Sequence, residues 1–556
     1  MAPPVCRYAT LSYMWGSTTD TYALASVCTI QALEEEGYLF TKPLPATIRD
    51  SIRVCIDLKI RYLWIDRLCI VQDDLTSVKE SQINAMGNIY NHSYLTLVDL
   101  EGVSMDHGLP GVSQARSSRI TYQLQGMSLR ARDDKRFEVL VTESKWWSRG
   151  WTFQEAMLSP RMLLFADAGV YFECSEGSHE DRFAYPSIMS LLFTPTKDYG
   201  SLVHNYTSRN FTFSGDVLKA FSGLMNWKYG SEHYFGLPYC QFERDLLWYP
   251  DTLTEDETLV PRSAGNGDIF PTWSWTSVMG SIQLPGDIHL SALLGVWSIP
   301  SSRSKELVHI IRPQNDLKRS WREAEVLIQG IGIAMAWKEG CFLKPLPPQL
   351  NLADSWEVYR AIITSEWTSV DKLNEEALGV ASIQSKEDFE RIFSSSYMTH
   401  AGQPGALLAH TQSLRARMVQ FESPGLQRYG IEHYMHARLH SMCDAKVDVW
   451  IQPNPAHWQF LDHDYSRNHI IKLDMLALSM RHVYLSPFES QERGKQGRWY
   501  DSEGSVLSTE DREVNFLVDV LLVETRDGLS RRVAIGIVEL HDWISASPEF
   551  RDFTLV

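Results

Sequence analysis

The sequence predicts an amino-terminal α/β domain on a parallel sheet, followed by a β-rich α+β region. Three observations predict it. Over the first third, short apolar runs alternate with segments of helical periodicity, the order that calls for parallel strands joined by crossover helices. Beyond residue 265 the pattern changes to short β runs bounded by turn residues. A chain of 556 residues also exceeds what one hydrophobic core organises. We divide it into an α/β domain at 1–200, a helical connecting segment at 201–264 and a β-rich region at 265–556.

The elements follow in order. "YATLSYMW" (8–15) reads as a strand stopped by Gly16, and "LPATIRDSIRVCIDLKI" (44–60) as a helix opened near Pro45 and Thr47, with Ile48, Ile52, Cys55 and Ile56 at helical spacing. "RYLWIDRLCIV" (61–71) is apolar enough for a central parallel strand buried on both faces. "SVKESQINAMGNIYNHS" (77–93) places Ile83, Met86, Ile89 and Tyr90 on one helical face, and "YLTLVDL" (94–100) is a third strand. Residues 101–141 read as a polar insertion, 142–159 as a third helix, and "RMLLFADAGVYFEC" (161–174) as a fourth strand or a hairpin. In the connecting segment, Asp216 opens a helical run through Val217, Ala220, Phe221 and Leu224. Farther on, "AEVLIQGIGIAMAW" (324–337) reads as a β run and 426–442 as an inserted helix. "NFLVDVLLVETRDGLSRRVAIGIVEL" reads as a hairpin turning at Asp527 and Gly528.

Composition narrows the function. A formal net charge of −17 argues against a nucleic-acid-binding surface, because phosphate contacts need clustered Lys and Arg. No run of about 18 apolar residues and no signal-peptide pattern occurs, so we expect a soluble, cytoplasmic protein without a membrane span. Eight scattered cysteines without a C-x-x-C pair fit reduced thiols. The P-loop, the G-x-S-x-G elbow and the H-E-x-x-H helix are absent, and "GIG" at 330–332 lacks the third glycine of a dinucleotide fingerprint. On a helix, His433, His436, His440 and Cys443 would form a row roughly 15 Å long, too long for one ion. We read it as a packing face and expect no metal. Cys69 reads as a core thiol. Asp66, in the same apolar run, needs a donor. It either faces the crevice at the carboxyl ends of the strands or pairs with Arg149.

"WWSRGWTFQEAMLS" (146–159) sets three tryptophans and an arginine beside one carboxylate, Glu155. Burying a carboxylate without a partner is costly, so the combination suggests a pocket. This motif, after "YATLSYMWG", "LPATIRDSIRVCIDLKIRYLWIDRLCIVQDD" and "QINAMGNIYNHS", resembles the fungal heterokaryon incompatibility (HET) domain in order and spacing over residues 8 to 175. "FPTWSW" (270–275) resembles a segment that often trails such domains. Val71 stands where many members have Asp or Asn, and Met14 replaces a frequent small residue.

The resemblance implies a TIR-like, flavodoxin-like fold and a role in non-self recognition and programmed cell death. Some TIR domains cleave the nicotinamide–ribose bond of NAD with a helical glutamate, and "GWTFQE" is similar to their Trp-Cys-x-x-Glu pattern. By that analogy Glu155 is catalytic, and Ser12, Tyr13, Trp15, Asp66, Arg149 and Trp151 bind substrate, with Arg149 directed toward phosphate. NAD is then a substrate, and no cofactor is implied. TIR enzymes generally complete their pocket by assembly, which implies a homo-oligomer; the trigger or protein partner stays open. The alternative is a non-enzymatic signalling module in which the same surface docks a partner and no bond is broken; in a structural reading, Glu155 forms a buried pair with Arg149 or Arg161 and complements the helix dipole.

Overall fold

The computed structural model describes the chain apart from residues 1–2, 4, 17–21, 75–76, 117–120, 126, 131–136, 181–197, 252–258, 263–269, 286–289, 301–306, 311–322, 355, 368, 380–404, 422–434, 442–445, 454–471, 485–507 and 510–511. It forms two compact units, Met1–Ser231 and Glu232–Val556. The division falls inside the segment that the sequence suggested as a connector: the helices Tyr199–Thr207 and Asp216–Tyr229 belong to the first unit, and the short helix Phe242–Asp245 to the second.

The first unit runs β1 (Tyr8–Ser12), α1 (Ile30–Leu33), α2 (Ala46–Asp57), β2 (Tyr62–Trp64), α3 (Asp66–Cys69), α4 (Ser77–Asn91) and β3 (Leu95–Asp99). Next come the hairpin β4 (Thr121–Leu124) and β5 (Met127–Arg130), α5 (Phe137–Thr142) and α6 (Gly150–Leu158). It closes with β6 (Arg161–Ala166), β7 (Gly169–Cys174), β8 (Gly177–Glu180), α7 (Tyr199–Thr207) and α8 (Asp216–Tyr229). Six strands form one sheet in the order β2-β1-β3-β6-β7-β8. The first four are parallel, and β6, β7 and β8 continue as an antiparallel meander. The chain leaves β1 for the edge strand β2, then crosses back to β3 on the other side of β1. That reversal opens a crevice at the carboxyl ends of β1 and β3, where ligands of open α/β sheets bind.

Alternation along β1 sorts the two faces. Ala9 and Leu11 pack with Ile48 and Cys55 of α2, whereas Val98, Met162 and Leu164 meet Trp146 and Ala156 on the α6 side. Thr10 and Thr96 carry hydroxyls into the interior but bond to each other at 2.7 Å, and Thr96 bonds to Ser159 at 2.6 Å. Pairing removes the desolvation cost that each hydroxyl would carry alone.

The run 61–71 departs from its sequence reading as a central buried strand. The strand is confined to Tyr62–Trp64, it lies at the sheet edge, and Asp66 opens the short α3. Cys69, read as a core thiol, is exposed, as is Ile56 on α2.

Helix α6 is not amphipathic. Seven of its nine residues are buried, because α4 lies beside it and α8 packs on both. Glycines permit this crossing. A Cβ on Gly87 of α4 would stand 2.9 Å from the Gly223 Cα of α8, and one on Gly223 would strike the Gln154 side chain of α6. The same Gln154 carbonyl accepts the Gly223 amide at 3.0 Å.

In the second unit the strands Leu407–Phe421, Met435–Ser441, Lys446–Pro453, Leu529–Glu539, Arg512–Arg526 and Lys472–Tyr484 pair antiparallel in that order, and the last pairs back with the first. Six strands thus close into a ring, and apolar side chains from all six share one core. The anticipated hairpin turns at Asp527 (φ 52°) and Gly528 (φ 78°), with Arg526 opposite Leu529.

Two elements differ from the sequence reading. Glu323–Lys338 is a helix, and its Gly332 leaves room for the Phe516 ring. A run apolar all round has no period of its own, so packing decides its form. Met435–Ser441, taken as helical, is a strand held between Leu407–Phe421 and Lys446–Pro453. His433 and Cys443 lie outside the described residues. The tryptophans of "FPTWSW" are core: Trp273 is fully buried and its indole donates to the Gly405 carbonyl at 3.0 Å.

Helix propensity alone would make Gly223→Ala stabilising by about 1 kcal/mol. The crossing reverses the sign: thermal denaturation is expected to show a loss of roughly 1–3 kcal/mol from overpacking against Gly87 and Gln154.

Candidate functional site

The segment 146–155 reaches its position through a distinct contact at nearly every residue. Trp146, wholly buried, donates its indole N–H to the Ser12 hydroxyl at 2.6 Å. Trp147 lies under the Arg209 guanidinium, 3.9 Å from its ring centre. Arg149 extends from the start of α6 and donates to the Tyr13 carbonyl at 3.2 Å. Gly150 is required because a Cβ there would overlap the Phe211 ring, and its amide donates to the Asn210 carbonyl at 2.9 Å. Trp151 donates to Asp216 at 3.0 Å, Phe153 stacks on Phe221, and Gln154 holds Gly223.

Glu155 closes the series. It is 4% exposed, accepts from the Ser12 hydroxyl, and is hydrogen-bonded to the Tyr90 phenol. Burial pushes its pKa up to about 7, against the pull of Arg149 and of the Ser12 and Tyr90 hydroxyls, while Asp66 adds to the rise. Arg149 acts on it through space and makes no ion pair with it, and Arg161 binds the Tyr94 carbonyl instead. The structural pairing that the sequence allowed with either arginine is therefore not the arrangement found. The hydroxyls surround Glu155 with adjustable protons. Tyr90 also reaches the Leu11 carbonyl at 3.1 Å. Having one proton, it either donates there and accepts from a neutral Glu155, or donates to the carboxylate.

A second group of residues lies where β1 and β2 end. Trp15 donates to Asp66 at 2.9 Å, and the Arg67 amide donates to the other Asp66 oxygen at 2.7 Å. Burial raises the Asp66 pKa, with Arg149 the strongest opposing influence. Trp15, Asp66 and Arg149 are half-buried, while Ser12 and Tyr13 are sealed. Thus the fold gathers Ser12, Glu155, Arg149, Asp66, Trp15 and Tyr13 around the carboxyl end of β1, and directs the Trp151 indole to α8.

Three participants escaped sequence reasoning. Trp146 stood inside the quoted motif, but nothing local separates it from its neighbours. Tyr90 looked like one more apolar position of α4, and Arg67 like a polar residue beside a strand. Among the described residues no group of His, Cys, Asp and Glu is placed to hold a metal ion, and no helix is long and apolar enough to cross a membrane.

Residues 8–155 match the family model described as heterokaryon incompatibility protein (HET). The HET match begins at the first residue of β1 and ends on Glu155, so its two limits are the elements that meet at the Ser12–Glu155 hydrogen bond. No curated protein and no solved structure matches the chain.

Titration of Glu155 leaves a signature in stability. Its pKa is higher in the folded state than the ordinary 4.5, so its contribution is fully present below 4.5 and is lost as pH rises through about 7. The loss amounts to roughly 3 kcal/mol between those limits. Denaturant unfolding of wild type and Glu155→Gln across pH 4 to 8 is expected to show the variant gaining on wild type by that order as pH rises, with no further gain beyond pH 8.

Proposed function

We propose that the HET segment is the effector part of a fungal intracellular heterokaryon incompatibility protein that causes cell death by hydrolysing NAD or a related nucleotide. The observation that carries this reading is Glu155: a desolvated carboxyl poised near neutrality, held by Ser12 where the sheet order reverses. The parallel order β2-β1-β3-β6 is that of the first four strands of flavodoxin-like sheets, which supports the TIR-like reading.

In this reaction the bond from the ribose anomeric carbon to the pyridinium nitrogen breaks, and nicotinamide leaves as a neutral molecule. Positive charge develops on the ribose, and ionised Glu155 stabilises it in a medium that screens weakly. Water then adds its oxygen to the anomeric carbon and releases a proton to solvent. Ser12 orients the carboxylate, Trp15 supplies a ring to the base, and Asp66 and Arg149 set the local potential. With Glu155 only 4% exposed, substrate reaches it once the site opens, and we assign that opening to self-assembly.

The same enclosure favours a second reading. A carboxyl this well sealed and hydrogen-bonded also serves a protein-docking module in which no bond is cleaved.

Nicotinamide release from NAD, followed over a range of protein concentrations, separates the two readings. Hydrolysis predicts release that rises more steeply than protein concentration, increases as pH passes 7, and falls by at least about a hundredfold in Glu155→Gln. Absence of release from concentrated wild type would leave the docking module.

A further inference from the structure

The site holds two buried donors that the residues around Glu155 do not use. Arg67 is 2% exposed; its Nε donates to the Ala23 carbonyl at 3.0 Å, its guanidinium lies 5.3 Å from the Trp15 ring centre, and its Nη1 has no hydrogen-bond partner among the described residues. Tyr13 is equally buried and its hydroxyl likewise lacks a partner among the described residues. Leaving one such donor unsatisfied is costly, and more so for a charged group. Both lie in the electrostatic neighbourhood of Asp66, as does Arg149, whose only side-chain hydrogen bond among the described residues is to a carbonyl.

Strand alternation accounts for their position. Ser12 turns toward α6 and Glu155, whereas Tyr13 belongs to the core cluster on the α2 side that includes Ile48, Ile65 and Met105 and against which Trp15 packs. The end of β1 therefore carries different chemistry on its two sides: a carboxyl with a hydroxyl on one, and a phenol with a guanidinium on the other. Arg149 acts on both Glu155 and Asp66, and its hydrogen bond to the Tyr13 carbonyl holds it at the end of β1.

We propose that Arg67 and Tyr13 form a phosphate subsite, receiving the diphosphate of a nucleotide whose glycosidic end lies at Glu155. The guanidinium Nη1 and the phenol O–H supply the vacant donors, and Arg149 supplies the second positive charge. A diphosphate presents several acceptor oxygens, so both donors can be satisfied at once, and an arginine is the side chain best suited to that geometry. The half-buried Trp15 and Asp66 mark the side from which the group enters. This assignment rests on the nucleotide reading of the site but not on cleavage.

Isothermal titration of the full chain with inorganic pyrophosphate, ADP and adenosine tests it. Pyrophosphate and ADP are expected to bind, and adenosine to bind at least about tenfold more weakly than ADP, since it lacks the charged group. Arg67→Met is expected to weaken pyrophosphate by at least about tenfold. Should Arg67→Met fail to fold, Tyr13→Phe decides, because it removes only the vacant hydroxyl: retained thermal stability with about threefold or greater weakening of pyrophosphate supports the subsite. Failure of pyrophosphate to bind wild type, or equal binding by folded Arg67→Met or by Tyr13→Phe, overturns it. Pyrophosphate binding without nicotinamide release keeps the subsite and removes the hydrolase; release without pyrophosphate binding does the reverse.

Discussion

The hydrogen bond from Ser12 to Glu155 ties the end of the central strand β1 to the middle of α6, and the rest of the first unit is arranged so that it can exist. A carboxyl in that place must be desolvated, and it makes no ion pair to offset the cost. Hydroxyls and an indole replace the cation: Trp146 donates to Ser12, Ser12 donates to Glu155, and Tyr90 stands ready to donate or accept. The glycine crossing of α4 and α8, the Gln154 clamp and the tight turn at Gly150 all serve to hold α6 deep against the sheet. A shallower helix would let water reach the carboxyl and return its pKa toward 4.5.

Opposite charges are held apart around this bond. Arg209, 5% exposed, has its pKa pushed down to about 9 by burial, and it binds the Arg149 carbonyl and the Thr152 hydroxyl. Arg149 spends a donor on the Tyr13 carbonyl. Had either arginine closed on Glu155, the pair would be neutral and the carboxylate would have lost its field at the crevice. Separation preserves that field at the expense of stability, an arrangement typical of sites that act on charge.

Periodicity and motif order made much of the first unit legible, from β1, α2, α4 and β3 to the Glu155 helix. The hairpin at Asp527–Gly528 was legible for a local reason, because two adjacent residues with positive φ favour Asp and Gly. What failed was non-local. The run 324–337 has apolar residues on every face, and its helix is chosen by packing against the second-unit core. The histidine row fitted a helical stripe until strands on both sides paired with Met435–Ser441. Trp146, Tyr90 and Arg67 became site residues only when residues 134, 79 and 44 positions distant came within hydrogen-bonding reach. The burial that shifts Glu155 is likewise a property of the packed layers and has no trace in "GWTFQE".

The most direct measurement is the ionisation of Glu155 itself, followed by the carboxyl carbon resonance of glutamate-labelled protein and assigned by its disappearance in Glu155→Gln. A midpoint near pH 7 is expected, set by burial without an ion pair. A midpoint at the ordinary 4.5 or below would mean that water or an arginine reaches the carboxylate, and would contradict both the sealed geometry and the chemistry drawn from it.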